Sequence, residues 1–162
     1  MLILAIDTSG NDGYVALFKG EALIDSKSVP PQTQTCLLLE RLDLLLRDHS
    51  LSLDDFSIFA VCTGPGSFTG TRIGVMTAKT LAYAKKKPII GYSAFIGRNK
   101  PFVPIGKSKG AFLKQGGQIE YSSFDPTQKS DEMPLDMSAI GSYILEMAGE
   151  NEEKLEIAYP EI

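Results

Sequence analysis

Histidine occurs once in this chain, at position 49, and cysteine twice, at 36 and 62. One imidazole and two thiols far apart in sequence cannot make the N/S ligand set of an ordinary zinc site. They also offer no Cys/His or Ser/His/Asp arrangement for nucleophilic catalysis. Both cysteines stand among apolar neighbours, which predicts two small core residues rather than a disulfide. Long hydrophobic runs are missing too: no stretch approaches the ~18 residues that a membrane-spanning helix needs. Met1-Leu2-Ile3 enters a strand-like segment without a basic leader, so the expectation is a cytoplasmic protein with no membrane partner. Positive charge is in deficit. With 16 Lys and Arg against 20 Asp and Glu the net charge is −4. Phosphate contacts supply most of a nucleic-acid binder's affinity, so this balance argues against independent nucleic-acid binding. The one basic run, Lys85-Lys86-Lys87, falls where a helix ends, and cations there offset the negative end of its dipole.

What the chain does have is 43% hydrophobic residues in 162, enough for one good core or a core plus a fragment. Its organising stretch is Thr63-Gly64-Pro65-Gly66-Ser67-Phe68-Thr69-Gly70-Thr71-Arg72-Ile73-Gly74. Its twelve positions hold four glycines and a proline, and it joins the apolar run 58–62, read as a buried strand, to a helix expected over 72–86.

Upstream, the apolar run 2–6 reads as a central strand ending in the polar turn cluster Asp7-Thr8-Ser9-Gly10. Strands over 14–18 and 22–29 follow at a spacing that forces antiparallel pairing. Pro30-Pro31 breaks the sheet, and a leucine-rich helix is expected over 33–48. Leu38, Leu39, Leu42, Leu45 and Leu46 share one broad stripe of it; Leu37 and Leu44 fall on a second line. Pro88 stops the later helix, and 89–93 reads as a fifth strand. The order βββαβαβ closes near residue 93, with the strands joined through helices parallel and their crossovers right-handed. Residues 94–162 are interrupted by Gly and Pro. They show strand pieces at 112–114 and 118–121, a polar loop over 122–134, a helix over 138–148 and an edge strand at 157–159.

Two places could carry chemistry. The glycine loop before a helix suggests phosphate binding. It lacks the lysine of a P-loop, however, and the third glycine of a dinucleotide fingerprint is Thr69. Tight packing of the helix on a strand is the stronger reading. Asp7 ends the first strand, where a metal-linked carboxylate would stand, but a two-metal site needs several converging acids. Asp followed by Thr and Ser is more often a turn former that bonds nearby backbone N–H groups. Asp7, Thr8 and Gly66 therefore remain weak cofactor-binding candidates; no catalytic or metal residue is assigned.

The segments Ile3-Leu4-Ala5-Ile6-Asp7-Thr8-Ser9 and Gly64 to Gly74, with Thr77-Ala78-Lys79-Thr80-Leu81-Ala82 and Ile89-Ile90-Gly91, closely resemble the bacterial TsaB (YeaZ) family. The resemblance covers about the first 95 residues. It implies an α/β actin-like ATPase (RNase H-like) fold, with a first lobe over 1–93 and a reduced second lobe over 94–162. It also implies a non-catalytic subunit that assists the related TsaD in making threonylcarbamoyladenosine beside the anticodon of tRNAs reading A-starting codons. TsaE would join through the complex, and tRNA would be met only indirectly. The chain would hold no cofactor of its own, and whether an adenine nucleotide sits at the TsaD interface stays open. Gln32-Thr33-Gln34 stands where members commonly carry a histidine. The alternative reading is a small phosphotransferase-like enzyme using Asp7 and the loop from Gly64 to Gly70.

An assisting subunit needs a docking surface, and the helix 72–86 is apolar on nearly every side. The expected interface with TsaD, or with a second copy of the chain, is Leu37, Leu44, Arg72, Gly74, Val75, Ala78, Lys79 and Ala82. Gly74 and Ala78 would let a partner helix approach closely. Ala78→Glu is then expected to weaken pairing and to leave folding intact.

Overall fold

The computed structural model describes residues 1–98, 102–105, 109–114, 117–123 and 135–150. Strand β1 (Leu2–Asp7) is the centre of a five-stranded sheet of order β3-β2-β1-β4-β5. It pairs antiparallel with β2 (Tyr14–Lys19), which pairs antiparallel with β3 (Ala22–Ser28). Strands β4 (Ile58–Cys62) and β5 (Ile89–Tyr92) run parallel to β1. The meander and the parallel extension are as the spacing predicts. Side chains alternate across β1, so Ile3 and Ala5 enter one apolar cluster while Leu4 and Ile6 enter the other. Both faces are covered, which is why this strand is apolar throughout.

One face is closed by α1 (Gln34–Asp48) and α2 (Phe68–Lys85). Leu38, Leu42 and Leu45 of α1 and Val75, Ala78 and Ala82 of α2 pack there with Leu4, Ile6, Phe59 and Val61. Each buried leucine is worth about 1.5–3 kcal/mol. The exposed Asp43–Arg47 pair on α1, at 2.8 Å, adds under about 1 kcal/mol, so the leucine stripe sets how the helix lies. The other face meets α3 (Met137–Glu150) through Ile140 and Ile144, and a second sheet through Val103 and Ala111. That sheet has the order β6-β7-β8, from β6 (Phe102–Ile105), β7 (Lys109–Leu113) and β8 (Ile119–Ser123), antiparallel throughout. Strand β6 escapes a sequence reading because Pro104 interrupts it. It is an edge strand, where a missing N–H is tolerated. Of the loop expected over 122–134, Ser122 and Ser123 belong instead to β8, paired with β7; its remainder and the expected strand at 157–159 lie outside the described residues.

Several expectations need correcting. Helix α2 begins four residues early because Ser67 caps it: the Ser67 hydroxyl accepts from the Gly70 N–H at 3.2 Å. It ends at Lys86, in the left-handed region with φ 51°, two residues before Pro88. Gly74, Val75, Ala78 and Ala82 are buried against the chain's own sheet and cannot form an outer interface. The cause is periodicity: these four share one arc of the helix, and that arc faces Leu4, Ile6 and Val61. Leu39 leaves the core stripe for solvent, and Cys36 is exposed rather than buried; Cys62 is buried.

Candidate functional site

The two segments that dominate the sequence meet each other. Asp7 ends β1, and its Oδ1 accepts both the Ser9 N–H and the Ser9 hydroxyl, each at 2.7 Å. This is the turn-forming role expected of Asp followed by Thr and Ser. The turn so shaped lies along the start of α2. The Ser67 N–H donates to the Ser9 carbonyl at 2.6 Å, and the Thr8 hydroxyl donates to the Gly70 carbonyl at 2.6 Å. Gly66, Gly70 and Gly74, spaced by four, present one bare stripe to the turn. A Cβ at Gly66 would strike the Ser9 carbonyl, one at Gly70 the Thr8 carbonyl and one at Gly74 the Thr8 hydroxyl. The glycines are there for close approach of backbone to backbone.

Behind the turn lies a buried polar group. The Ser9 hydroxyl reaches the Cys62 thiol at 3.3 Å, and the hydroxyls of Tyr14 and Tyr92 meet at 2.8 Å. Burial raises the Asp7 carboxyl above the ordinary carboxylate range, against the lowering effect of its Ser9 hydrogen bonds. Burial, and then the nearby Asp7 charge, push the Cys62 thiol well up, so it is no nucleophile near neutrality. Arg98 ties the far side of the turn down through Asp12, with contacts of 2.8 and 2.7 Å.

The turn itself does not fit the phosphates of a nucleotide such as the actin-like fold implies. The carbonyls of Thr8 and Ser9 face the glycines, where a phosphate would be repelled, and Asp7 is already engaged by Ser9. The structure thus brings Asp7, Thr8 and Gly66 together, but bonds or packs them within the turn and loop. Among the described residues no group of three or more His, Cys, Asp or Glu is placed to hold a metal.

The other candidate surface is on the outside of α1 and α2. Phe68 and Met76 are each 57% exposed and Tyr83 is 89% exposed. They share a face with Arg72, whose guanidinium lies 3.6 Å above the Phe68 ring centre. On α1, Leu39 and Leu44 are exposed and Leu37 is half-buried. Of the expected interface set, Arg72, Lys79, Leu37 and Leu44 keep an outward position. Phe68, Met76, Tyr83 and Leu39 escape the sequence reading. For α2 the signal is present: at about 100° per residue Phe68, Met76 and Tyr83 share an arc of roughly 80°, distinct from the arc that holds Gly74, Ala78 and Ala82.

TsaB of Escherichia coli K12 is 36% identical over 125 residues, which is 77% of this chain and 50% of that protein. TsaB of Bacillus subtilis 168 is 37% identical over 95 residues, 58% of this chain and 42% of that one. The chain belongs to the TsaB (YeaZ) family. A family model described as TsaD, tRNA N6-adenosine threonylcarbamoyltransferase, matches residues 35–98, the piece that runs through both outer helices. YeaZ from Pseudomonas aeruginosa superimposes with a TM-score of 0.63 at 18% identity, covering 93% of this chain and 95% of that one. This TsaB-family chain has the actin-like, RNase H-like fold. It spans about half the length of the curated TsaB relatives it matches.

Proposed function

We propose that the chain is a non-catalytic subunit in the synthesis of threonylcarbamoyladenosine on tRNA, pairing with a TsaD subunit. The TsaB names of its relatives support the pathway. The observation that carries the pairing is the exposed apolar row Phe68, Met76 and Tyr83 on α2; Leu39 and Leu44 of α1 are exposed as well. Large apolar side chains exposed on one helix face mark an interaction site. The engaged glycine loop supports the non-catalytic half of the reading and disfavours the phosphotransferase alternative. In this scheme TsaE joins through the complex, and any adenine nucleotide sits at the TsaD contact rather than on this chain. tRNA is met indirectly, and the setting is the cytoplasm. No helix among the described residues is long and apolar enough to cross a membrane.

The test is the solution mass of the chain mixed with TsaD. A heterodimer is expected, with Met76→Glu abolishing it while the circular dichroism of the variant stays native. A Met76→Glu protein that pairs as tightly as the parent would overturn this placement of the interface. ATP turnover by the isolated chain, lost in Asp7→Ala, would restore the phosphotransferase reading.

A further inference from the structure

The chemistry of the surface that α2 meets can be read from its own outer face. At about 100° per residue, Phe68, Arg72, Met76, Lys79, Tyr83 and Lys86 fall within an arc of roughly 80°. Phe68, Arg72, Met76, Tyr83 and Lys86 are exposed. The helix from Phe68 to Lys85 contains no Asp or Glu, although the whole chain has 20 acids to 16 bases. Lys85 points elsewhere and is held by Asp54 at 2.7 Å. Arg72 is different. Its guanidinium carbon sits over the Phe68 ring, and a guanidinium so placed can still offer N–H groups to a carboxylate. Lys86 closes the row at the C-cap.

We infer that this face takes a helix surface whose apolar residues are flanked by Asp or Glu, supplied by the partner subunit; the inference rests on the pairing reading above. In a two-fold α2-to-α2 pairing centred near Lys79, Arg72 would oppose Lys86 of the second copy, and like charges held at such range repel. A nucleic acid is the weaker fit. Arg72 already covers one face of Phe68, Met76 offers no stacking surface, and the net charge opposes phosphate.

The experiment measures association of the full chain, alone and with TsaD, at about 50 mM and about 500 mM salt, across which screening of exposed charges changes strongly. The expected result is pairing with TsaD that weakens about tenfold or more at the higher salt. The double variant Arg72→Glu/Lys86→Glu should lose about as much at low salt and then show no further salt dependence. Native circular dichroism excludes unfolding as the cause. Salt-independent pairing that the double variant leaves unchanged would overturn the acidic-partner inference while keeping the pairing itself. A short single-stranded RNA bound more tightly than TsaD at low salt would overturn it in favour of nucleic acid. If TsaD is not bound at all, the pairing reading fails, and self-association decides the charge inference. It then stands if self-association is weak at low salt and strengthened by Arg72→Glu, and falls if the parent chain forms a tight α2-mediated dimer.

Discussion

A single added methyl at position 70 would meet the carbonyl oxygen of Thr8, which belongs to backbone and cannot swing aside. Gly70→Ala should therefore lower stability by about 1–3 kcal/mol, the usual cost of overpacking, when unfolding is followed in urea. Gly149 supplies the contrast. It lies in α3, and a Cβ added there would meet nothing within 4 Å, so Gly149→Ala should be neutral or stabilising by up to about 1 kcal/mol. If both substitutions behave alike, the glycine stripe is not a contact surface. Asp7 makes a second residue-scale case. Its folded carboxyl is raised by burial, so the folded state holds the proton more tightly than the unfolded chain does. The resulting penalty is absent below the unfolded value and grows as pH rises through the folded one. Asp7→Asn keeps an acceptor for Ser9 and removes the buried charge. Its stability relative to the parent should be greatest near neutral pH, and the difference should close as the pH is lowered into the carboxylate range. A difference that widens on acidification would contradict this assignment.

On the scale of elements, α2 is a helix with two different arcs. Ala78 faces the sheet at 0% exposure, whereas Met76, two residues away, faces solvent. Ala78→Glu should leave an unpaired charge among Leu4, Val61 and their neighbours, costing about 3 kcal/mol or more and largely preventing folding. Met76→Glu should shift stability by no more than about 0.5 kcal/mol. Thermal unfolding of both proteins checks the pair, and a folded Ala78→Glu protein would mean that the helix is turned the other way. The sequence alone shows that α2 has too few polar residues for a simple surface helix. It does not show which arc is covered, because the pattern fixes only the relative positions of residues around the helix and not the side on which the sheet lies. Ser67 as the cap fixes the start.

At the scale of the whole molecule, the five-stranded sheet separates two apolar layers, α1 with α2 on one side and α3 with β6 and β7 on the other. The chain is net acidic, and in isolation it should bind tRNA only weakly at physiological salt. A filter-binding measurement giving sub-micromolar affinity would refute this. The five strands and two helices of the first 93 residues were legible because each is a local pattern: an apolar run, a turn of Gly or Asp, a leucine stripe. The resemblance to TsaB was legible for the same reason, since its motifs are contiguous. Even the bonding of Asp7 to Ser9 follows from three adjacent residues. What depended on tertiary structure was every relation between distant segments. That Gly66, Gly70 and Gly74 receive Thr8 and Ser9 rather than a phosphate depends on β1 and α2 lying side by side, although Thr8 and Gly70 are 62 positions apart in the chain. Likewise, Val75 and Ala82 are buried while Phe68 and Tyr83 are exposed, although all four are apolar. Hydrophobicity drives a side chain out of water, but only the position of the sheet decides which side of a helix has something to meet.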